Sequence, residues 1–338
     1  MKRQTIIIIL LIVALLAMML VGCIVGTANI GLKDALQVLM SVFGGENSAN
    51  IPESTYYIIL NLRLPRVLLA VVTGGGLSVC GVAYQAIFRN PLSDPYVLGV
   101  SSGASLGAAI AIIIALDGAF LGISALSFLT ALLTVILIIG ISSIGNRLHT
   151  TTLLLAGISI NFLISALISV LMILNKQEMD KIIFWTMGSL ASANYESVAI
   201  TACFVFIGVM IVALYARDLN TMLLGSSSAR TMGVNVERTK KIILVSSTLM
   251  IAVIVSFTGV IGFIGLVVPH IVRLIVGSDN RRILPYALLG GMLFMLSADI
   301  VCRTVIPPSE LPIGSITSLI GAPVFIYLLF NAKKRLNG

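Results

Sequence analysis

Almost every charged residue of this 338-residue chain falls in a gap between long apolar stretches, and Lys and Arg collect in alternate gaps. A bilayer core of about 30 Å takes about 20 apolar residues as helix, and only helices or closed barrels satisfy their backbone groups there. Residues 5–28, 67–87, 97–116, 119–141, 152–174, 197–215, 283–298 and 313–330 hold no Asp, Glu, Lys or Arg. With 58% hydrophobic and 10% charged residues, the chain carries more apolar surface than one aqueous core buries. The predicted class is an all-α polytopic membrane protein, one transmembrane domain over residues 1–338 with no long soluble insertion.

Residues 242–272 are also free of Asp, Glu, Lys and Arg. As helix they measure about 46 Å, too long for one crossing and short for two. Charge parity decides between them. A single crossing places Arg273, Arg281 and Arg282 opposite the basic loop 217–241, against the bias of short cytoplasmic loops toward Lys and Arg. Two curtailed crossings, broken near Thr258, Gly259 and Gly262, remove the conflict. The expected spans are then 5–28, 67–87, 97–116, 119–141, 152–174, 197–215, 242–258, 262–276, 283–303 and 313–330, ten in all, with both termini cytoplasmic. Only Lys33, Arg63, Arg66, Lys176, Lys181 and Arg303 fall outside; the other fifteen of 21 basic residues fall inside. The net charge of +8 is thus a topology signal, and no nucleic-acid partner is implied.

The first span ends in Leu20-Val21-Gly22-Cys23, which mimics a lipoprotein signal, but nine further spans favour a plain membrane helix. Cys23, Cys80, Cys203 and Cys302 have no ligand-like spacing and read as small packing residues, so no metal site or disulfide is expected. No G-x-x-x-x-G-K-[ST] or H-E-x-x-H motif occurs, and no catalytic residue is expected. His149 reads as a solvated loop residue and His270 as a helix-end hydrogen-bonding group. Ion-coupled carriers need ionisable groups within the membrane. Here the nearest is Asp299, four residues before Arg303, where an i, i+4 ion pair is the ordinary explanation. A transporter without nucleotide site or ion relay must take its energy from other proteins.

Two faces suit such partners. Inside, residues 223–233 read as a short helix with an apolar side (Leu223, Leu224, Met232), serine hydroxyls capping its first turn and Gly233 at a left-handed C′ position. It fits a partner's groove or lies on the membrane as a connector. Outside, Arg63, Arg66 and Arg303 suit either the carboxylates of an arriving protein or lipid phosphates. Between these faces, Asn161, Ser165 and Ser169 recur at i, i+4, i+8, a polar stripe that serves a pathway or helix packing. Gly74, Gly75, Gly76, Gly103 and Gly107 read as packing glycines.

Six segments, in order, are Arg63-Leu64-Pro65-Arg66, Gln85-Ala86-Ile87-Phe88-Arg89-Asn90-Pro91-Leu92, Leu98-Gly99-Val100-Ser101-Ser102-Gly103-Ala104, Leu153-Leu154-Leu155-Ala156-Gly157, Phe263-Ile264-Gly265-Leu266-Val267-Val268-Pro269-His270 and Gly321-Ala322-Pro323-Val324-Phe325. Together they resemble the FecCD-type permeases of ABC importers for iron-siderophores, haem and vitamin B12. The resemblance implies a type II ABC importer fold in a bacterial cytoplasmic membrane, dimeric with itself or a close homologue, and a pathway on the two-fold axis. It implies docking of an extracytoplasmic substrate-binding protein on Arg63, Arg66 and Arg303, and a cytoplasmic gate at Thr150 and Thr151. A coupling helix (Leu223, Leu224, Gly225, Ser226, Ala229, Arg230, Met232 and Gly233) would seat in each of two ATPase subunits. Those subunits, not this chain, would bind ATP and Mg, so no cofactor is expected here. Many relatives carry an acid where this chain has Ser226. The expected cargo is an iron(III)-siderophore, with haem or vitamin B12 as the alternative and an ion-coupled secondary carrier as the remote one.

Overall fold

The computed structural model describes residues 2–26, 28, 30–41, 51–116, 122–144, 147–148 and 150–336; His149 lies outside them. Among the described residues its regular structure is helical apart from one two-residue antiparallel ladder, β1 Ser143–Ile144 with β2 Arg147–Leu148. The helices run α1 Lys2–Ile24, α2 Leu32–Ser41, α3 Glu53–Tyr57, α4 Leu64–Phe88, α5 Val100–Ile113, α6 Gly122–Ser142, α7 Thr150–Leu174, α8 Met179–Thr186, α9 Tyr195–Leu214, α10 Ala216–Leu223, α11 Ser226–Thr231, α12 Val236–Thr258, α13 Ile264–Val276, α14 Asn280–Thr304 and α15 Ile313–Leu336. A π-helical segment, Ile58–Arg63, joins α3 to α4, so that one helix runs from Glu53 to Phe88. Among the described residues seven helices are long and apolar enough to cross a membrane, and α5, α13 and the 313–328 part of α15 are shorter apolar helices.

The core forms around α4, whose sequence is apolar on every side and is buried almost throughout. A helix of that kind belongs at the centre of a bundle. It packs against α14, α9, α13 and α12, and glycines set how near it comes. A Cβ on Gly74 would collide with the carbonyl oxygen of Gly291, and one on Gly81 with that of Gly265. Close backbone approach through small residues is the main packing device where lipid removes the hydrophobic drive between helices. Gly103 and Gly107 do the same on α5, where a Cβ would meet Thr134 and Thr130 of α6. Gly81→Val is therefore expected to exceed the ordinary overpacking cost of about 1–3 kcal/mol and to abolish monodisperse protein in detergent. Gly140→Ala, where a Cβ meets nothing within 4 Å, is expected to leave the thermal midpoint unchanged. Equal behaviour of the two variants would remove the role given to the close approach.

The charge-free 242–272 stretch is two helices, α12 ending at Thr258 and α13 starting at Ile264. Gly259 turns the chain at φ +67°. Backbone groups freed there find partners: Thr258 O accepts from Ser189 N at 2.8 Å and Ile261 O from the Tyr96 hydroxyl at 2.9 Å. Irregular backbone near lipid is tolerated when it is paired inside the protein. Four helical elements escape the hydropathy pattern. These are α2, the extension of the second long helix back to Glu53, α8 and α10, each too short or too polar to read as a crossing.

Candidate functional site

Arg63, Arg66 and Arg303 converge where α1 ends, α4 begins and α14 ends. All three are buried, with 5%, 9% and 4% of their surface exposed. Arg63 donates to the carbonyls of Cys23, Ile24 and Ala28, and Arg303 to those of Gly22 (3.0 Å) and Val25 (3.2 Å). Two guanidinium groups thus satisfy the orphan carbonyls at the negative end of α1. Asp299, fully buried, sits between Arg303 Nη2 at 2.9 Å and Arg66 Nε at 2.8 Å. The i, i+4 pair read from the sequence is present, and it extends to Arg66. Arg66 Nη1 then reaches Glu310 Oε1 and Oε2 at 2.9 and 2.8 Å.

These arginines are therefore not free side chains awaiting a partner; each is committed within the chain. Beside them opens a cavity of about 300 Å³, its wall formed by Arg63, Arg66, Arg303, Glu310 and Leu62 among others. The Glu310 side chain is 33% exposed and that of Asp299 is not exposed at all. Sequence reading missed Glu310. Its signal was available, since it is the sole acid in the polar break between α14 and α15.

At the opposite, basic end, α10 and α11 form a compact hairpin. Ala229 is buried against Met222 and Val236, while Leu224 and Met232 are 67% and 63% exposed. Leu223 is half-buried. The serines do not cap α11. Gly225 holds the N-cap position at φ +114° without a side-chain bond, because a hydroxyl-bearing residue strains there. Gly233 adopts φ +86°, and Arg230 pairs with Glu237 at 3.2 Å. Asp279 ties the hairpin to α14. Its Oδ1 accepts from Asn220 Nδ2 at 2.6 Å and from Arg281 N at 3.0 Å, and Asn220 Oδ1 accepts from Asn280 N at 2.7 Å. The hydrogen bond from Arg281 holds the Asp279 carboxyl below the usual carboxylate range. The tie is therefore complete at neutral pH and is lost only as pH falls below the ordinary carboxylate value.

Between these ends an open cavity of about 520 Å³ lies against α5 and α7, lined by Asp94, Ser101, Ser102, Ser105, Asn161 and Ser165 among others. Asn161 Oδ1 accepts from Ser102 Oγ at 2.5 Å. Ser169 is not in the lining; its hydroxyl donates to Ser165 O one turn back at 2.9 Å. The sequence stripe on α7 thus splits, two residues at the cavity and one beside it. Ser101, Ser102 and Ser105 were missed as lining residues because they stand in a small-residue motif that reads as packing. Asp94 was missed because it precedes a span; its side chain accepts from Tyr96 N at 2.7 Å and starts the 3-10 turn Pro95–Leu98. Thr150 and Thr151 open α7 just beyond the β-ladder, Thr150 half-buried and Thr151 exposed. In its most apolar window α7 is only 11% buried.

No group of three or more His, Cys, Asp or Glu side chains is placed to hold a metal among the described residues. A family model described as the FecCD transport family matches residues 9–331. The cobalamin import system permease protein BtuC of Halobacterium salinarum is 39% identical over 285 residues, 84% of this chain and 76% of the relative. The hemin transport system permease protein HmuU of Yersinia pestis is 38% identical over 341 residues, 97% of this chain and 98% of the relative. Among solved structures, a metal-chelate type ABC transporter in an inward-facing conformation superposes with a TM-score of 0.82 at 29% identity, covering 97% of this chain and 99% of that one. With this likeness running nearly end to end, the chain belongs to the FecCD transport family.

Proposed function

We propose that this multi-pass membrane protein is the permease subunit of an ATP-driven importer and carries an iron(III)-siderophore across a bacterial cytoplasmic membrane. Ten crossings, seven long and three short, leave both termini and the α10–α11 hairpin in the cytoplasm, as the basic residues favour. The observation that carries the reading is the exposure of Leu224 and Met232 on a polar hairpin outside the spans. Two bare apolar side chains, at the ends of α10 and α11 on a hairpin tethered by polar groups, need a groove, and an ATPase subunit supplies one. ATP and Mg act in that partner.

A second copy of the chain, or a close homologue, covers α7, whose cavity face with Asn161 and Ser165 then becomes half of a central conduit. Thr150 and Thr151 form its cytoplasmic mouth, and Ser169 lines it once the second copy is in place. Mild hydroxyl and amide groups without a strong site suit the passage of a bulky cargo. On the other face a substrate-binding protein docks at Arg63, Arg66 and Arg303, with Arg66 the most exposed of the three. Closure of the ATPases pushes the hairpin, and the Asn220–Asp279 tie passes that motion to α14. Haem or a corrinoid is the second reading, favoured by what the relatives of 38–39% identity are named for.

Purification on a tag at this chain, from its native host, tests the assembly. Native mass spectrometry is expected to return two permease copies with two ATPase subunits. Recovery of the chain without any ATPase contradicts the proposal. Binding of ferric siderophore rather than haem or cobalamin by the co-purifying binding protein decides the cargo.

A further inference from the structure

We propose that Glu310 is an intramolecular competitor at the outer arginine site, occupying the edge of Arg66 that a carboxylate of an arriving protein takes when it docks. The inference rests on the docking reading above and adds the step by which docking occurs, an exchange of one carboxylate for another.

Arg66 divides its guanidinium between two acids of unlike character. Nε is held at 2.8 Å by Asp299, which is fully buried and shared with Arg303. Nη1 is held by both Glu310 oxygens at 2.8 and 2.9 Å, and the Glu310 side chain stands at the rim of the cavity, 33% exposed. The inner contact anchors the arginine and cannot be displaced without leaving buried charge. The outer contact joins the buried guanidinium to a carboxylate one-third exposed, through a single nitrogen, so it is the weaker of the two and the one an incoming carboxylate can replace. Its loop is loosely held. Residues 304–310 are exposed, and Val305 and Ile306 are 57% and 53% exposed. The nearest backbone tie is Leu311 N to Cys302 O at 3.1 Å. Glu310 can swing out while Leu311 stays in place.

Such an arrangement keeps the arginine paired while the site is empty, so it is not left as an unsatisfied cation beside lipid. It also sets the docking strength. An incoming carboxylate gains only the difference between its own contact and the one it displaces, which weakens binding and favours release after delivery. The partner is thus one that presents clustered carboxylates, and a neutral surface has nothing to exchange.

The test uses the full-length chain in lipid nanodiscs, with phenylglyoxal labelling of Arg66 read by mass spectrometry and an acetylated hexaglutamate peptide as the carboxylate probe. Glu310→Gln keeps the side-chain shape and removes the charge. It is expected to label at Arg66 about two to five times faster than wild type, the scale of a partly exposed ion pair. The peptide is expected to protect it at a correspondingly lower concentration. Glu310→Ala is expected to behave alike, and Glu196→Gln, which changes net charge equally at an exposed position, is expected to match wild type. Equal labelling in wild type and Glu310→Gln, or equal protecting concentrations, would overturn the competitor. Labelling without any peptide protection in either protein would instead overturn the docking reading itself.

Discussion

Asp299→Asn is expected to destabilise the folded protein by about 3–5 kcal/mol, the cost of leaving a buried charge without its partner, and to remove most of the monodisperse protein recovered in detergent. The carboxylate is fully buried and lies within 2.9 Å of Arg303 and 2.8 Å of Arg66. An amide of the same shape preserves the packing but removes both ion pairs, leaving Arg303 buried without a carboxylate and Arg66 with Glu310 alone. Arg303 also closes the carbonyl end of α1, so the loss spreads to that helix. Glu310→Gln, at the exposed end of the same network, is expected to cost less than about 1 kcal/mol. Thermal unfolding followed by dispersity ranks the two. A midpoint for Asp299→Asn equal to that of Glu310→Gln would show that the centre of the network does not lie at Asp299.

Leu224→Asp combined with Met232→Asp is expected to cut ATP-driven uptake at least tenfold while leaving the permease folded. Both side chains stand more than 60% exposed, so nothing inside the chain depends on them. In a partner's groove each is a candidate anchor, and loss of an anchor costs about 2 kcal/mol or more. A carboxylate pressed into an apolar groove adds a desolvation penalty. The pair should therefore lose the ATPase on co-purification as well as the uptake. Ala229→Leu offers a contrast, since Ala229 is buried against Met222 and Val236 and its enlargement should disturb the hairpin before it disturbs the partner. Normal uptake by the double variant, with the ATPase retained, would remove the coupling role from α11.

Much of the helical plan was legible because lipid imposes a simple rule, apolar length against charge. The split of 242–272 followed from parity of the basic loops, and the pairing of Asp299 with Arg303 followed from helical spacing. What the one-dimensional pattern could not supply was the partner across a gap of more than 200 residues. Arg66 meets Asp299 and Glu310 only because α4 and α14 pack side by side through Gly74 and Gly291. Read alone, Arg63 and Arg303 look like surface cations; in the fold they cap α1, an end whose need for donors is invisible until its neighbours are placed. The cavity residues were half legible. Helical periodicity found Asn161 and Ser165, but Ser102 joins them from another helix, and its motif offers only small residues. The serines of α11 misled for a local reason: Gly225 could take the N-cap position at positive φ, so no hydroxyl was needed there.

A conduit without an engine makes one demand above all. Proteoliposomes holding the chain alone, given proton and sodium gradients of either sign, should accumulate no ferric siderophore, haem or cobalamin. The same vesicles with the ATPase and a loaded binding protein should accumulate the cargo in proportion to ATP hydrolysed. Concentrative uptake by the chain alone, driven by a gradient and indifferent to ATP, would contradict the central claim.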